Sequence, residues 1–174
     1  MKVLYIHGLH SNPNPKKLAI IKELGLEVVS PFIDYEKEKG TVYNRVKDIA
    51  LDAEIDLIIG SSLGGFIGYW LSRDIGKPAL LFNPALYFDS MKTFIPKLKE
   101  AHQPAIYFCL GEKDTQVIPA ELRQYLESQK EDHNNVKIIS ASWLAHGIDL
   151  NTFKSITTWF LSEEDVKTNR RRFK

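Results

Sequence analysis

A chain of 174 residues, 44% apolar and 26% charged, is long enough to close one domain around a full hydrophobic core. Its 23 basic and 22 acidic side chains leave a formal net charge of +1, which excludes an electrostatic case for nucleic acid or for an anionic membrane surface. The lone cysteine, Cys109, excludes an internal disulfide and fits a reducing compartment. No apolar run approaches the roughly 18 residues of a membrane span, and residues 1–7 are too short for a signal peptide, so a cytoplasmic location is expected.

Residues 3–6 form a short apolar run closed by His7 and Gly8, the pattern of a buried strand. Turn formers crowd residues 9–15. Residues 16–24 then read as a helix with Leu18, Ile21 and Leu24 inward and Gly25 as its stop. A second strand is predicted over 27–30, closed by Pro31. After a longer connection, Val42, Val46, Ile49, Ala50 and Ala53 fall at helical spacing behind Thr41, a candidate cap. The third strand, 55–59, runs through Gly60-Ser61-Ser62-Leu63-Gly64 into a helix that is apolar nearly all round. Glycines at 64, 65 and 68 should cost that helix about 1 kcal/mol each against alanine, which predicts close packing on the sheet. Strands follow at 78–82, 105–110 and 136–139, with helices at 119–130, where Pro119 suits the first turn, and at 151–161. Between them residues 86–103 are amphipathic and irregular, carrying Leu86, Tyr87, Phe88, Met91, Phe94 and Ile95.

Strands alternating with helices imply an α/β protein, a three-layer α/β/α sandwich on a mainly parallel six-stranded sheet. No linker or repeat divides the chain, so one domain is expected over 1–162, followed by a frayed basic tail over 163–174 with Lys167, Arg170, Arg171, Arg172 and Lys174. If the second strand flanks the first, the order is 2-1-3-4-5-6. The ends of the first and third strands then meet at the switch point, where ligands bind in such sheets.

Gly60-Ser61-Ser62-Leu63-Gly64 fits G-x-S-x-G, the strand-to-helix turn that exposes a nucleophilic serine. Only Ser62 has glycines two residues away on both sides; Ser61 has Ile59 behind it. A serine hydroxyl needs a base near neutrality, histidine supplies one, and a carboxylate must fix the imidazole's tautomer. On such folds the order is Ser, acid, His, and the loops after the fifth and sixth strands offer Asp114 and His146 in that order. Glu112 is the rival acid. Leu63 N–H, after the nucleophile, and Leu9 N–H, after the first strand, are the candidate oxyanion donors. His10, in the first loop, is a candidate substrate contact; His102 and His133 read as surface residues without metal-ligand spacing, and Cys109 as a buried core residue.

Residues 5–9 (Tyr-Ile-His-Gly-Leu) with Ser11, Asn12 and Pro13, the stretch Gly60 to Gly65 with Trp70, Leu71 and Ser72, and Asn83-Pro84-Ala85 together resemble the α/β-hydrolase superfamily, nearest the small, capless bacterial YqiA-like esterases. The resemblance implies a serine esterase with Ser62, Asp114 and His146 as its triad, needing no metal or cofactor and acting on a small-molecule carboxylic ester or thioester. Absence of a cap implies an open site, with Leu86, Tyr87 and Phe88 onward to Ile95, and the 32–35 stretch, as its apolar wall. A peptidase or amidase with the same triad, and an inactive hydrolase-fold binding protein, are the alternatives.

Overall fold

The computed structural model describes residues 1–38, 40–88, 95, 102–129, 135–163 and 166. The six apolar runs become β1 Lys2–Ile6, β2 Glu27–Val29, β3 Leu57–Ser61, β4 Ala79–Phe82, β5 Ile106–Gly111 and β6 Val136–Ala141. They form one sheet in the order β2-β1-β3-β4-β5-β6, and each neighbouring pair is parallel. The order expected from sequence is the order observed.

Parallel strands must bury both faces, and the inner strands are apolar at both parities. Leu4, Ile6, Ile58, Leu81 and Phe108 point into one layer, with Tyr43 and Val46 of α2 (Val42–Asp52), Phe66 and Ile67 of α3 (Leu63–Ile75), and Leu122 and Leu126 of α4 (Pro119–Ser128). Val3, Tyr5, Ile59, Leu80, Phe82 and Tyr107 point into the other, with Ile20 and Ile21 of α1 (Pro15–Glu23) and Phe153 and Phe160 of α5 (Leu150–Ser162). Each helix feeds one of these two layers, so no element stands off the sheet as a cap among the described residues.

Several local expectations are revised. Thr41 does not cap α2 through its side chain; its hydroxyl donates instead to Glu38 O at 3.0 Å. Helix α1 has an unforeseen cap, Asn14, whose Oδ1 accepts from Lys16 N–H at 3.0 Å and Lys17 N–H at 3.3 Å. Its buried stripe is also turned from the one expected: Lys17, Ile20 and Ile21 are buried while Leu18 and Leu24 are half-buried. β6 runs on to Ala141 because Ser140 and Ala141 find partners in Leu110 and Gly111. Packing continues past residue 162 as well. Glu163 pairs with Lys137 Nζ at 2.8 Å, and Val166 is buried against the second layer. The basic residues from Lys167 onward, Met91, Phe94 and His133 lie outside the described residues.

Register sets the site. Ile6 sits opposite Gly60, Ser61 opposite Phe82, and Gly111 opposite Ala141, so the loops after β1, β3, β4, β5 and β6 leave from one edge of the sheet.

Candidate active site

β3 ends at Ser61 and α3 begins at Leu63, so Ser62 alone turns the corner, at φ 52° and ψ −120°. Such a conformation costs a non-glycine residue on the order of 1–3 kcal/mol and persists only where the surroundings impose it. Here they do. Ser62 N–H donates to Phe82 O at 3.0 Å, and its carbonyl accepts from Phe66 N–H at 3.0 Å and Ala85 N–H at 3.2 Å. The flanking glycines are needed for close approach: a Cβ on Gly60 would lie 2.5 Å from Gly64 O, and one on Gly64 would overlap the carbonyls of Ile6 and His7.

His146 comes from the loop between β6 and α5. Its Nε2 lies 3.1 Å from Ser62 Oγ and its Nδ1 2.7 Å from Asp114 Oδ2. An ionised carboxylate can only accept, so Nδ1 carries the proton and Nε2 offers its lone pair to the serine hydroxyl. Asp114 is buried, and its other oxygen accepts Gln116 N–H at 2.8 Å and Val117 N–H at 3.0 Å, which fixes the plane of the carboxylate. Glu112 turns away to the surface. Arg123 and Ser140 hydrogen-bond it there and hold its carboxyl below the usual range. Geometry thus brings Ser62, His146 and Asp114 together and leaves Glu112 out.

Behind His146 stands a residue whose role the sequence did not reveal. Asn83, 1% exposed and with φ 44°, donates from Nδ2 to Ala145 O at 3.0 Å and His146 O at 3.2 Å. Its Oδ1 accepts Gly111 N–H at 2.7 Å. One amide side chain therefore ties the ends of β4 and β5 to the histidine loop. The signal was the left-handed turn at Asn-Pro, a conformation asparagine tolerates better than most residues.

The loop after β1 is built on His7. Its ring is buried, with Nδ1 donating to Gly8 O at 2.8 Å and Nε2 accepting Ile33 N–H at 3.0 Å, and burial holds its pKa below the usual value. Both nitrogens are committed, so His7 is a brace. Tyr35 hydroxyl donates to His7 O at 2.5 Å, and Phe32 stacks on the imidazole at 5.9 Å. The 32–35 stretch, expected in the apolar wall, therefore supports this loop.

Between this loop and the histidine loop opens a cleft of about 490 Å³. Leu9, His10, Asn12, Lys17, Ser62, Gln116, His146 and Ile148 are among its walls. His10 is there as expected; it is exposed and lies 3.8 Å from Glu36. Leu86, Tyr87 and Phe88 are not among the residues lining the cleft. Leu86 is core, and Tyr87 and Phe88 stack at 4.6 Å while Tyr87 Oη accepts Ile118 N–H at 2.9 Å. Leu86 joins the layer between sheet and helices, and Tyr87 and Phe88 pack half-buried against it. Tyr5, beside Ser61 at the cleft floor, has its hydroxyl pushed up to about 12 by burial, which its hydrogen bond with Ser61 offsets in part. Cys109 is fully buried and its thiol is raised to about 12 by burial, so it is a core residue.

A parallel sheet in this order, with a strand–serine–helix corner at its switch point, is the α/β-hydrolase fold. Solved structures of that fold superpose on nearly all of the chain. SOBER1 from Arabidopsis thaliana matches at TM-score 0.63 and 17% identity, covering 97% of this chain and 98% of its own. Acyl-protein thioesterase 2 from Zea mays matches at 0.63 and 13%, covering 95% and 93%. A monoacylglycerol lipase from Paleococcus ferrophilus matches at 0.64 and 13%, covering 92% and 94%. Within the fold, the chain belongs to the uncharacterised protein family UPF0227, whose pattern matches residues 2–130 and so takes in Ser62 and Asp114. His146 lies beyond that match and rests on the geometry.

Proposed function

We propose that the protein is a serine hydrolase that cleaves a carboxylic ester or acyl thioester through an acyl-enzyme. One observation carries the reading: the continuous line from Asp114 through His146 to the hydroxyl of a serine on a strained strand-to-helix corner. Ser62 Oγ attacks the acyl carbon as His146 Nε2 takes its proton. Asp114 keeps the imidazole in the required tautomer and stabilises the imidazolium. The oxyanion goes to Leu63 N–H, at the positive end of α3, and Leu9 N–H; neither amide has an acceptor among the described residues. His146 then returns its proton to the departing alkoxide or thiolate, and water hydrolyses the acyl-enzyme by the same route.

Preference for esters and thioesters over amides is supported by the names of the structural neighbours, which include a thioesterase and a lipase. The test is turnover of 4-nitrophenyl butyrate with Ser62→Ala, for which a loss of at least about 10⁴ in kcat is expected. Activity retained in that variant overturns the assignment.

A further inference from the structure

Lys17 is out of place. It lies on the inner stripe of α1, 8% exposed, and it also lines the cleft that holds Ser62 and His146. Lysines are almost never buried this far without a partner. Yet its ammonium makes no hydrogen bond and no ion pair to any described residue. The face of the Phe153 ring lies 5.3 Å from Nζ.

The groups around it are already engaged. Asp149 acts on the ammonium only at longer range, since its two oxygens are held by Thr152 N–H at 2.9 Å and Thr152 hydroxyl at 2.7 Å as the cap of α5. Asn14 Oδ1 caps α1, and Ser11 hydroxyl donates to Gly8 O at 2.8 Å. Tyr5 hydroxyl is engaged with Ser61. Among the described residues no aspartate or glutamate lines the cleft, whose walls carry hydroxyls, amides and imidazole beside the apolar Leu9 and Ile148. The cleft beside the nucleophile thus presents one positive charge whose donors have no protein partner among the described residues.

We propose that Lys17 receives an anionic group of the substrate, a carboxylate or a phosphate, so that the ester or thioester cleaved at Ser62 is an acid and not a neutral lipid. This rests on the hydrolase reading above and adds the substrate's charge to it. A charge-assisted hydrogen bond in such a setting corresponds to a preference of about 30-fold in kcat/KM.

The experiment compares matched esters. For an anion on the acyl side, the 4-nitrophenyl half-ester of adipic acid is set against 4-nitrophenyl hexanoate. For one on the alcohol side, the butyrates of 4-hydroxybenzoate and of 4-hydroxyphenyl phosphate are set against phenyl butyrate. The wild type is expected to prefer the anionic member on one of the two sides, which tells the sources apart. Lys17→Met, which keeps the stem and removes the charge, should lower that anionic-to-neutral ratio about 30-fold, and Lys17→Arg should restore most of it. A wild-type enzyme without preference on either side overturns the proposal with no variant needed, as does an unchanged ratio in Lys17→Met. If no ester of either kind is cleaved, the hydrolase reading fails while the anion site stays testable: calorimetric binding of monomethyl adipate or phenyl phosphate that Lys17→Met abolishes supports it, and no binding to the wild type refutes it.

Discussion

The two walls of the cleft differ in what they leave free. On the histidine side each polar group is spent on another: Asp114 on His146, Gln116 and Val117, and Asn83 on Gly111 and the carbonyls of the histidine loop. On the side of the first loop and α1, His7, Ser11 and Asn14 are likewise engaged, but Lys17 has no hydrogen-bond partner among the described residues, Leu9 is 39% exposed, and His10 is exposed beside Glu36. A satisfied network is rigid, since each member would leave an orphan if it moved. An unsatisfied charge costs stability and is retained where something else will satisfy it. On the proposed function, the contrast assigns chemistry to one wall and recognition to the other.

The largest test of that division is Asp114→Asn. Exchange of the carboxylate for an amide leaves the shape and withdraws the acceptor that fixes the His146 tautomer, so kcat should fall by about 10⁴. Glu112→Gln, two residues earlier, should stay within about twofold, because that carboxylate serves Arg123 and Ser140. If the two variants behave alike in steady-state assays of the same ester, the histidine wall has been assigned to the wrong acid.

Asn83→Ala is expected to come next. It leaves Gly111 N–H and the His146 loop carbonyls without partners, at a cost of about 2 kcal/mol in denaturant unfolding. Because Asn83 acts through His146, kcat should drop by about 10² with KM little changed. A loss of stability with kcat intact would make Asn83 a structural residue alone.

The smallest effect has the opposite sign. Lys17→Met should leave the fold as stable as the wild type or more so by about 1 kcal/mol, since a buried charge gives way to a side chain of similar shape. Burial lowers the Lys17 pKa, with Asp149 opposing. The unfolded chain therefore binds the extra proton in the window below the ordinary value of 10.5, and the wild type gains stability as pH rises through that window. The stability advantage of Lys17→Met should shrink accordingly between neutral and strongly alkaline pH, as read by urea unfolding at a series of pH values. A destabilised variant whose deficit does not vary with pH would mean that Lys17 earns its place by packing.

Much of this molecule could be read locally. Hydrophobic period and turn formers placed all six strands within about two residues, because the inner runs must bury both faces and the edge runs are bounded by turn formers. Ser62 was legible because the corner leaves room only for glycine at 60 and 64, a constraint written within five residues of chain. Asp114 and His146 followed from chain order and from strand ends. What did not follow was anything set by partners distant in sequence. The sequence favoured Asp114 with Glu112 as its rival on the same loop; what holds the two apart is Arg123 on α4, which binds Glu112, and a histidine 32 residues downstream of Asp114. Leu86, Tyr87 and Phe88 carried the composition of a substrate wall, yet Leu86 is in the core and Tyr87 and Phe88 pack half-buried against it.

The amino-acid sequence by itself determined the strands of a parallel sheet and the corner that exposes the serine, since these depend on periodicity and on the size of a single Cβ; the order followed on the premise that the second strand flanks the first, which the strand pairing bears out. Tertiary structure alone decided which face of α1 turns inward. Helical phase there is set by Ile20 and Ile21 packing against the sheet, and the same rotation carries Lys17 into the cleft, where no reading of hydrophobic residues would have looked for it.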